Sequence, residues 1–398
     1  MKNLLFVDDE PRILQGLQRQ LYSMRNEWKM TFVDSGAKAL EFLAANPVDV
    51  TVTDMMMPGM DGAQLLTEVM KNYPKTVRIV LSGHADRESV LRLVGPAHQY
   101  LSKPCEAEEL RGAISRAFAL RDLLTNEQLK QLATRLRSLP TLPTLHAQLT
   151  EELRKEEPSM EAVAQIIAKD IGMTSKILQL VNSAFFGLPQ PLSSPQEAVM
   201  YLGMATVRSL VLSIQVFSQF DPRIVKHFSI DGLAQHCWMT GAMARRIAEF
   251  EHCSSKVDDQ CFLAGLLHDV GQLVLASGLP EEYARVLETA KAENKSILEV
   301  EKAVFGATHA EVGAYLLGLW GLPNPIIEAV AFHHRPADAP VKGFSPLVAV
   351  YVGSLFAHEQ SSGAQVARES KVDEAALASH GLEGKLEAWR AHCFDDGL

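Results

Sequence analysis

Val48-Asp49-Val50-Thr51-Val52-Thr53-Asp54-Met55-Met56-Met57-Pro58-Gly59-Met60-Asp61-Gly62 runs from an apolar, β-branched stretch into an aspartate and then a Pro-Gly turn. Val48–Thr53 reads as a strand, because β-branched side chains suit a pleated surface and the Pro-Gly pair stops the run. Outward from it lie four similar runs, Asn3–Val7, Lys29–Val33, Val77–Leu81 and Gln99–Leu101. Amphipathic stretches separate them, with Ile13, Leu14, Leu17 and Leu21 on one face of the first. Strands alternating with helices of this length predict a doubly wound α/β fold with a five-stranded parallel sheet. Such sheets gather their functional groups at the carboxyl ends of the strands. Asp8 and Asp9 fall there after the first strand, Asp54 after the third, Ser82 after the fourth and Lys103 after the fifth.

Three carboxylates brought to one sheet edge repel one another and raise each other's pKa unless a cation joins them. A hard divalent ion with oxygen ligands, most simply Mg²⁺, meets that need and leaves room for a phosphoryl oxygen. One carboxylate can then attack a phosphoryl group and become an aspartyl phosphate. Lys103 would neutralise the added charge, and Ser82 would donate a hydrogen bond to a phosphoryl oxygen.

Four stretches in order, Val7-Asp8-Asp9-Glu10-Pro11, Thr53–Gly62, Leu81-Ser82-Gly83 and Leu101-Ser102-Lys103-Pro104, resemble the receiver domain of bacterial response regulators over about residues 1–121. The resemblance implies phosphorylation of Asp54 by a sensor histidine kinase. It also implies Mg²⁺ held by Asp9, Asp54 and the backbone carbonyl of Met56, with Asp8 assisting through water. Ser82 and Tyr100 become the switch pair that reorganises after phosphorylation.

From Glu106 to about Arg137 the pattern is helical, with apolar positions at Leu110, Ile114, Phe118, Leu123, Leu124, Leu129 and Leu132. It predicts one long helix or two abutting ones, with residues 122–138 as a helical connector. Leu139-Pro140-Thr141-Leu142-Pro143 breaks it, and helical periodicity then dominates to Ala357. Pro158-Ser159 opens one helix and Gly187-Leu188-Pro189 closes a later one. Thr308-His309-Ala310-Glu311 has capping-box spacing, and Gly321-Leu322-Pro323 ends the helix it starts. The Ala-, Glu- and Lys-rich tail from Ser361 predicts one or two peripheral helices.

Histidines concentrate in this helical half: His236, His268 beside Asp269, His309, and the pair His333-His334. Imidazoles and a carboxylate on neighbouring helices can surround a metal ion. Their spacing resembles the HD superfamily of metal-dependent phosphohydrolases. Together with Leu139–Pro143, Asp170–Gly187, Ala198–Gly203, His268-Asp269-Val270-Gly271 and Thr308–Gly313, it looks more closely like the HDOD (HD-related output domain) family, over residues 139–335. That family is regarded mainly as a regulatory, protein-interacting output module.

Two readings of this half therefore stand side by side. In the first, an all-α HD-like domain docks an unidentified downstream protein, and the state of Asp54 shifts the docking-competent population. In the second, a divalent transition metal at His236, His268 and Asp269, with a second at His309, His333 and His334, activates water against a phosphodiester such as cyclic di-GMP. Three departures from the hydrolases favour the non-catalytic reading. Arg335-Pro336 replaces a Gly-Tyr-Pro motif, Gln272 stands where a phosphate-contacting Lys is usual, and the late acidic ligand is replaced by Gly353.

The chain has 398 residues, enough for two or three domains. The expected partition is a receiver at 1–121, the connector at 122–138, the HDOD domain at 139–335 and a helical extension at 336–398. No run of about 18 apolar residues predicts a membrane span, and the N-terminus meets Asp8-Asp9-Glu10 too early for a signal peptide. Five cysteines without CxxC spacing predict reduced thiols in a cytoplasmic protein, and the receiver resemblance implies a phosphoprotein. A net charge of −10 and no long basic cluster argue against nucleic acid as a partner, including at Met204–Leu210. A homodimer through the receiver or connector is compatible with this organisation.

Overall fold

A computed structural model describes residues 1–82, 96–124, 126–136, 139–182, 188, 190–213, 218–219, 228–362 and 374–394. Gly83, Ser183–Gly187 and Pro189, singled out in the sequence, lie outside these residues, as does the side chain of Ser82. The chain divides into two compact units. One is Met1–Ser138 with Gln179–Pro191 and Gly318–Gly321, and the other is Leu139–Leu178, Leu192–Leu317 and Leu322–Leu398.

In the first unit β1 (Lys2–Val7), β2 (Trp28–Val33), β3 (Val50–Asp54), β4 (Val77–Ser82) and β5 (Gln99–Ser102) form one parallel sheet in the order β2-β1-β3-β4-β5. The five expected strands are found within two residues of their expected ends. Leu4, Leu5, Phe6 and Val7 are all buried, as a strand covered on both faces requires. Helices α1 (Pro11–Gln20), α2 (Gly36–Ala45) and α3 (Gly62–Asn72) lie between the strands. Asp61 caps α3: its Oδ1 accepts from Gln64 N–H at 2.8 Å, and Gln64 Oε1 accepts from Asp61 N–H at 3.1 Å. Gly62 is required here, because a Cβ would lie 2.2 Å from the carbonyl oxygen of Asp54.

The connector region consists of two helices, α4 (Ala107–Leu123) and α5 (Glu127–Arg135), the second capped by Asn126. Helix α5 is tied to the sheet by a buried polar node. Arg78 on β4 is fully buried and donates from Nε to Pro96 O at 2.5 Å, from Nη1 to Thr76 O at 3.3 Å and from Nη2 to Thr134 O at 2.7 Å. His98 accepts the Arg78 N–H at Nδ1, 3.0 Å away, so its Nε2–H is free to donate to the same Thr134 carbonyl at 3.0 Å. The Thr134 hydroxyl donates to Pro74 O. A cation thus meets the carboxyl end of α5, where helix carbonyls lack intrahelical donors. Arg78→Met is expected to cost about 3–5 kcal/mol and to loosen α5, since the buried Pro96 and Thr76 carbonyls lose this donor and Thr134 O keeps only the one from His98. Urea unfolding together with amide exchange over 127–135 measures it, and a loss below about 1 kcal/mol would contradict this account.

The second unit is helical. Its main helices are α6 (Pro143–Arg154), α7 (Met160–Ala168), α8 (Ile171–Val181), α9 (Pro195–Leu202), α10 (Met204–Ser213), α11 (Ile230–Phe250), α12 (Ser255–Leu267), α13 (Val270–Gly278), α14 (Pro280–Glu293), α15 (Ile297–Phe305), α16 (His309–Leu319), α17 (Asn324–Phe332) and α18 (Pro346–Ser362). Ser159 caps α7 through Ala162 N–H at 3.2 Å, as its position after Pro158 predicts. Asp170 anchors the Leu139–Pro143 opening: Oδ2 accepts from Leu142 N–H at 2.7 Å and Oδ1 from Met173 N–H at 2.8 Å. Burial raises its carboxyl to about 6. Helix α11 packs most extensively on α12 and α18. Gly241 and Gly265 meet backbone to backbone at the first crossing, and Gly353 lies against Thr240 and Ala244 at the second.

The tail helices α19 (Glu374–Ser379) and α20 (Leu386–Phe394) are not peripheral. Trp389 is fully buried against a core that includes Met243, Ile247, Val352 and Phe356, and its indole N–H donates to Glu251 at 2.8 Å. All five cysteines are free thiols. Ser255–Gly278 is long and apolar enough to cross a membrane by composition, but 78% of its 18-residue apolar stretch is buried inside this helical unit. Its apolar surface therefore serves the core.

Candidate functional site

The strand order puts the carboxyl ends of β1 and β4 on either side of β3, with Val7 opposite Thr53 and Asp54 opposite Leu81. Asp8 is buried; its Oδ1 accepts from Glu10 N–H at 2.9 Å, and its Oδ2 lies 2.6 Å from Lys103 Nζ. The same ammonium lies 2.5 Å from Asp54 Oδ1, while Asp54 Oδ2 accepts from Met56 N–H at 3.2 Å. Burial raises the Asp54 pKa, with Lys103 opposing and Asp8 reinforcing the shift. Burial works against the charged form of Lys103, but its bonds to Asp54 and Asp8 hold its pKa above the usual value. Asp9 is half-buried next to Asp8, and the Met56 side chain points out, 61% exposed. The acids supply hard oxygen donors of the kind Mg²⁺ takes. Tyr100 is buried and packs with Met55, Ala63, Leu66, Val80 and Ala97, and burial pushes its phenol well above the ordinary range.

In the helical unit all six acid and imidazole positions come together. His236 lies on α11, His268 ends α12, Asp269 precedes α13, His309 begins α16, and His333-His334 follow α17. Helices α13 and α16 touch through their backbones: a Cβ on Gly271 would stand 1.9 Å from His309 O and 2.9 Å from Gly313 N. That contact sets Asp269 Oδ1 3.1 Å from His309 Nε2 and 3.6 Å from His333 Nε2, with Asp269 Oδ2 3.4 Å from His268 Nε2. His309 Nε2 is also 3.0 Å from His334 Nε2. Thr308 opens α16, its N–H donating to Glu311 Oε2 at 2.8 Å.

The far nitrogens of three rings are held. His268 Nδ1 donates to Gly265 O at 2.7 Å, His333 Nδ1 to Val330 O at 2.9 Å, and His309 Nδ1 to Glu301 at 2.8 Å. Each Nε2 is thereby directed inward, which is how metal-ligating histidines are oriented. His333 Nε2 and Asp269 Oδ1 are buried without a directed hydrogen bond, and native proteins rarely leave such atoms without a partner. Burial lowers His268 to about 3 and His236 to about 4, so both imidazoles are neutral and able to ligate. Burial would raise Asp269, but His268, His309 and His333 outweigh it and hold the carboxylate well below its usual range. Burial opposes protonation of His309, but Glu301 and Asp269 push its pKa up to about 10, so a metal ion bound there would displace its Nε2 proton. The ligand atoms form two groups, Asp269 with His309, His333 and His334, and His236 with His268 and Asp269, each lying within 4.8 Å of one another. Both groups fit a divalent transition metal.

Glu301 escaped the sequence reading. It is fully buried on α15 and also accepts the His309 backbone N–H at 2.8 Å. The available signal is an acid beside Val300 in the apolar stripe of an amphipathic helix. The late-ligand assignment needs correction. Gly353 faces α11, whereas Ser354 Oγ is 3.4 Å from His236 Nε2, so Ser354 is the residue facing His236. His358, one turn on, stacks on His236 with ring centroids 4.3 Å apart, and Glu359 is taken by Arg390. Gln272 Oε1 lies 3.4 Å from the Tyr283 hydroxyl, which is also 3.4 Å from Glu301.

Comparison with known proteins agrees with this division. The profile of the response regulator receiver domain matches residues 4–115, and that of the HDOD domain matches 139–336. An uncharacterized protein of Treponema pallidum (strain Nichols) is 27% identical over 243 residues, 59% of this chain and 46% of its own length. The hydrogenase transcriptional regulatory protein HoxA of Cupriavidus necator is 36% identical over 116 residues, 29% of this chain and 23% of its own length. The chain thus spans less than half the length of both relatives. The crystal structure of the MmoQ response regulator from Methylococcus capsulatus str. Bath shares the fold, with a TM-score of 0.50 at 24% identity over 64% of this chain and 98% of that one. This chain is a response regulator, a receiver domain followed by an HDOD output domain.

Proposed function

We propose that the protein is a cytoplasmic phosphorelay switch in which Asp54 accepts a phosphoryl group from a sensor histidine kinase and the helical domain acts on a downstream protein. The observation that carries this reading is the Lys103 ammonium set between Asp8 and Asp54, at 2.6 and 2.5 Å. Asp54 is the nucleophile. Asp9, Asp54 and the Met56 carbonyl, with Asp8 beside them, would hold Mg²⁺, which would supply positive charge to meet the incoming phosphoryl group. Lys103 then pairs with the phosphorylated side chain, and Ser82 and Tyr100 report its state. Incubation with acetyl phosphate should label the protein only when Mg²⁺ is present. Labelling that persists after chelation, or no labelling with Mg²⁺, would remove the assignment.

A second reading concerns the output domain: its histidine cluster holds a divalent transition metal. It is supported by the three anchored imidazoles and by the buried Asp269 Oδ1 and His333 Nε2 that lack directed partners. We take the metal as part of a regulatory domain. The phosphodiesterase alternative lacks the carboxylate that Ser354 replaces, and Gln272 is engaged near Tyr283. Elemental analysis of the purified protein, with a cyclic dinucleotide hydrolysis assay, separates these cases.

A further inference from the structure

We infer that the histidine cluster is two unequal sites, a closed four-ligand site at Asp269, His309, His333 and His334 that holds one zinc-like ion, and an open three-ligand site at His236, His268 and Asp269 that retains none unaided. This rests on the metal reading above and adds which half of the cluster does the binding. It opposes the expectation from the His-Asp pair itself, which would place the main ion on His236, His268 and Asp269.

Ligand number comes first. Three imidazoles and a carboxylate oxygen, all within 4.8 Å of one another, complete the tetrahedral set that tightly held zinc takes. The other group offers two imidazoles and the second oxygen of the same carboxylate. Charge points the same way. Asp269 supplies one negative charge to both groups, so a second divalent ion would bring two further positive charges with no anion to meet them, in a buried setting where unpaired charge is costly. The position that faces His236 holds Ser354, a neutral hydroxyl 3.4 Å from its Nε2, and so supplies no such anion.

Outer support is unequal too. Glu301 contacts the His309 ring at 2.8 and 3.0 Å and its backbone N–H at 2.8 Å, so it fixes this ligand from both sides. Glu301 is therefore a positioning residue for the closed site, and such carboxylates typically contribute about 10–100-fold to metal affinity. Beside His236 stand the Ser354 hydroxyl, 3.4 Å from its Nε2, and the stacked, exposed ring of His358. His334, at the exposed edge of the closed site, gives an ion a way in.

The test is zinc stoichiometry and affinity of the full-length protein, by elemental analysis and competition with a chromophoric chelator. Wild type should carry about one zinc per chain. His334→Ala should weaken binding by roughly 100-fold or more, and Glu301→Gln by about 10–100-fold, whereas His236→Ala should change it less than about twofold. Ser354→Asp should add a second zinc by returning a carboxylate to the open site. His334 is exposed, Glu301→Gln and Ser354→Asp change the volume little, and a thermal melt of each variant, above all of His236→Ala at its half-buried position, verifies folding. Equal loss in His236→Ala and His334→Ala, or two zincs in wild type, overturns the inequality while leaving the metal reading intact, and one zinc in Ser354→Asp overturns the missing carboxylate as its cause. No zinc in wild type removes both.

Discussion

Asp54→Asn is expected to reduce phosphoryl labelling to background while leaving the molecule folded. The amide has nearly the carboxylate's shape but no anionic oxygen able to attack phosphorus. The neighbours tolerate the change for stated reasons. Lys103 keeps Asp8 at 2.6 Å, and the oxygen of the substituted amide can still accept from Met56 N–H, 3.2 Å from the present carboxylate. Removing one of two acids that share an ammonium also relieves the repulsion by which Asp8 raises Asp54. Stability should therefore shift by roughly 1 kcal/mol or less in either direction. Intact-mass spectrometry after acetyl phosphate and Mg²⁺ reads the label, and a urea titration reads the fold. Labelling at the wild-type level in the variant would mean that another side chain is the acceptor, and the role given to Asp54 would be lost.

The receiver site was legible because its chemistry is written at strand ends. A period-two or fully apolar run fixes where a strand stops, and a parallel sheet brings all the stops to one edge. Hence Asp8, Asp54 and Lys103 were placed together from the sequence, and the structure joins them through one ammonium. The histidine cluster was legible as a set of residue types but not as a geometry. Which residue of α18 faces His236 depends on the rotation of that helix about its axis, and one residue is about 100°. A reading without the crossing therefore chose Gly353, whereas Gly353 is the packing contact with α11 and Ser354 faces the ring. Glu301 was missed for a related reason, since its burial is set by α15 packing over His309 and not by its own neighbours. Trp389 likewise lies in a helix of only nine residues whose burial depends on α11 and α18.

The connector shows a further limit of local reading. Arg78 and His98 sit at the amino ends of β4 and β5, the strands whose carboxyl ends carry Ser82 and lead to Lys103. Nothing in the periodicity of Glu127–Arg135 announces that its last turn is met by a buried guanidinium. Once seen, the node makes α5 part of the receiver's own structure, fastened to the two strands that carry Ser82 and Tyr100.

Gly271→Val should be the most damaging single substitution in the output domain. At Gly271 the first added carbon would already stand 1.9 Å from His309 O and 2.7 Å from His309 C, so the obstacle is backbone and no rotamer relieves it. A normal carbon–oxygen contact needs more than about 3 Å, so α13 and α16 must separate by more than an ångström. Separation pulls His309 away from Asp269, now 3.1 Å distant, leaving a buried carboxylate without that partner. Overpacking alone costs about 1–3 kcal/mol, and a buried charge left unpaired adds about 3–5 more. A loss above about 4 kcal/mol is therefore expected, with zinc binding lost alongside it. The receiver has its own core and should still take label from acetyl phosphate, so calorimetry should show one transition falling while labelling persists. A wild-type melt with zinc still bound would mean that this glycine does not set the crossing, and that the cluster is assembled by some other contact.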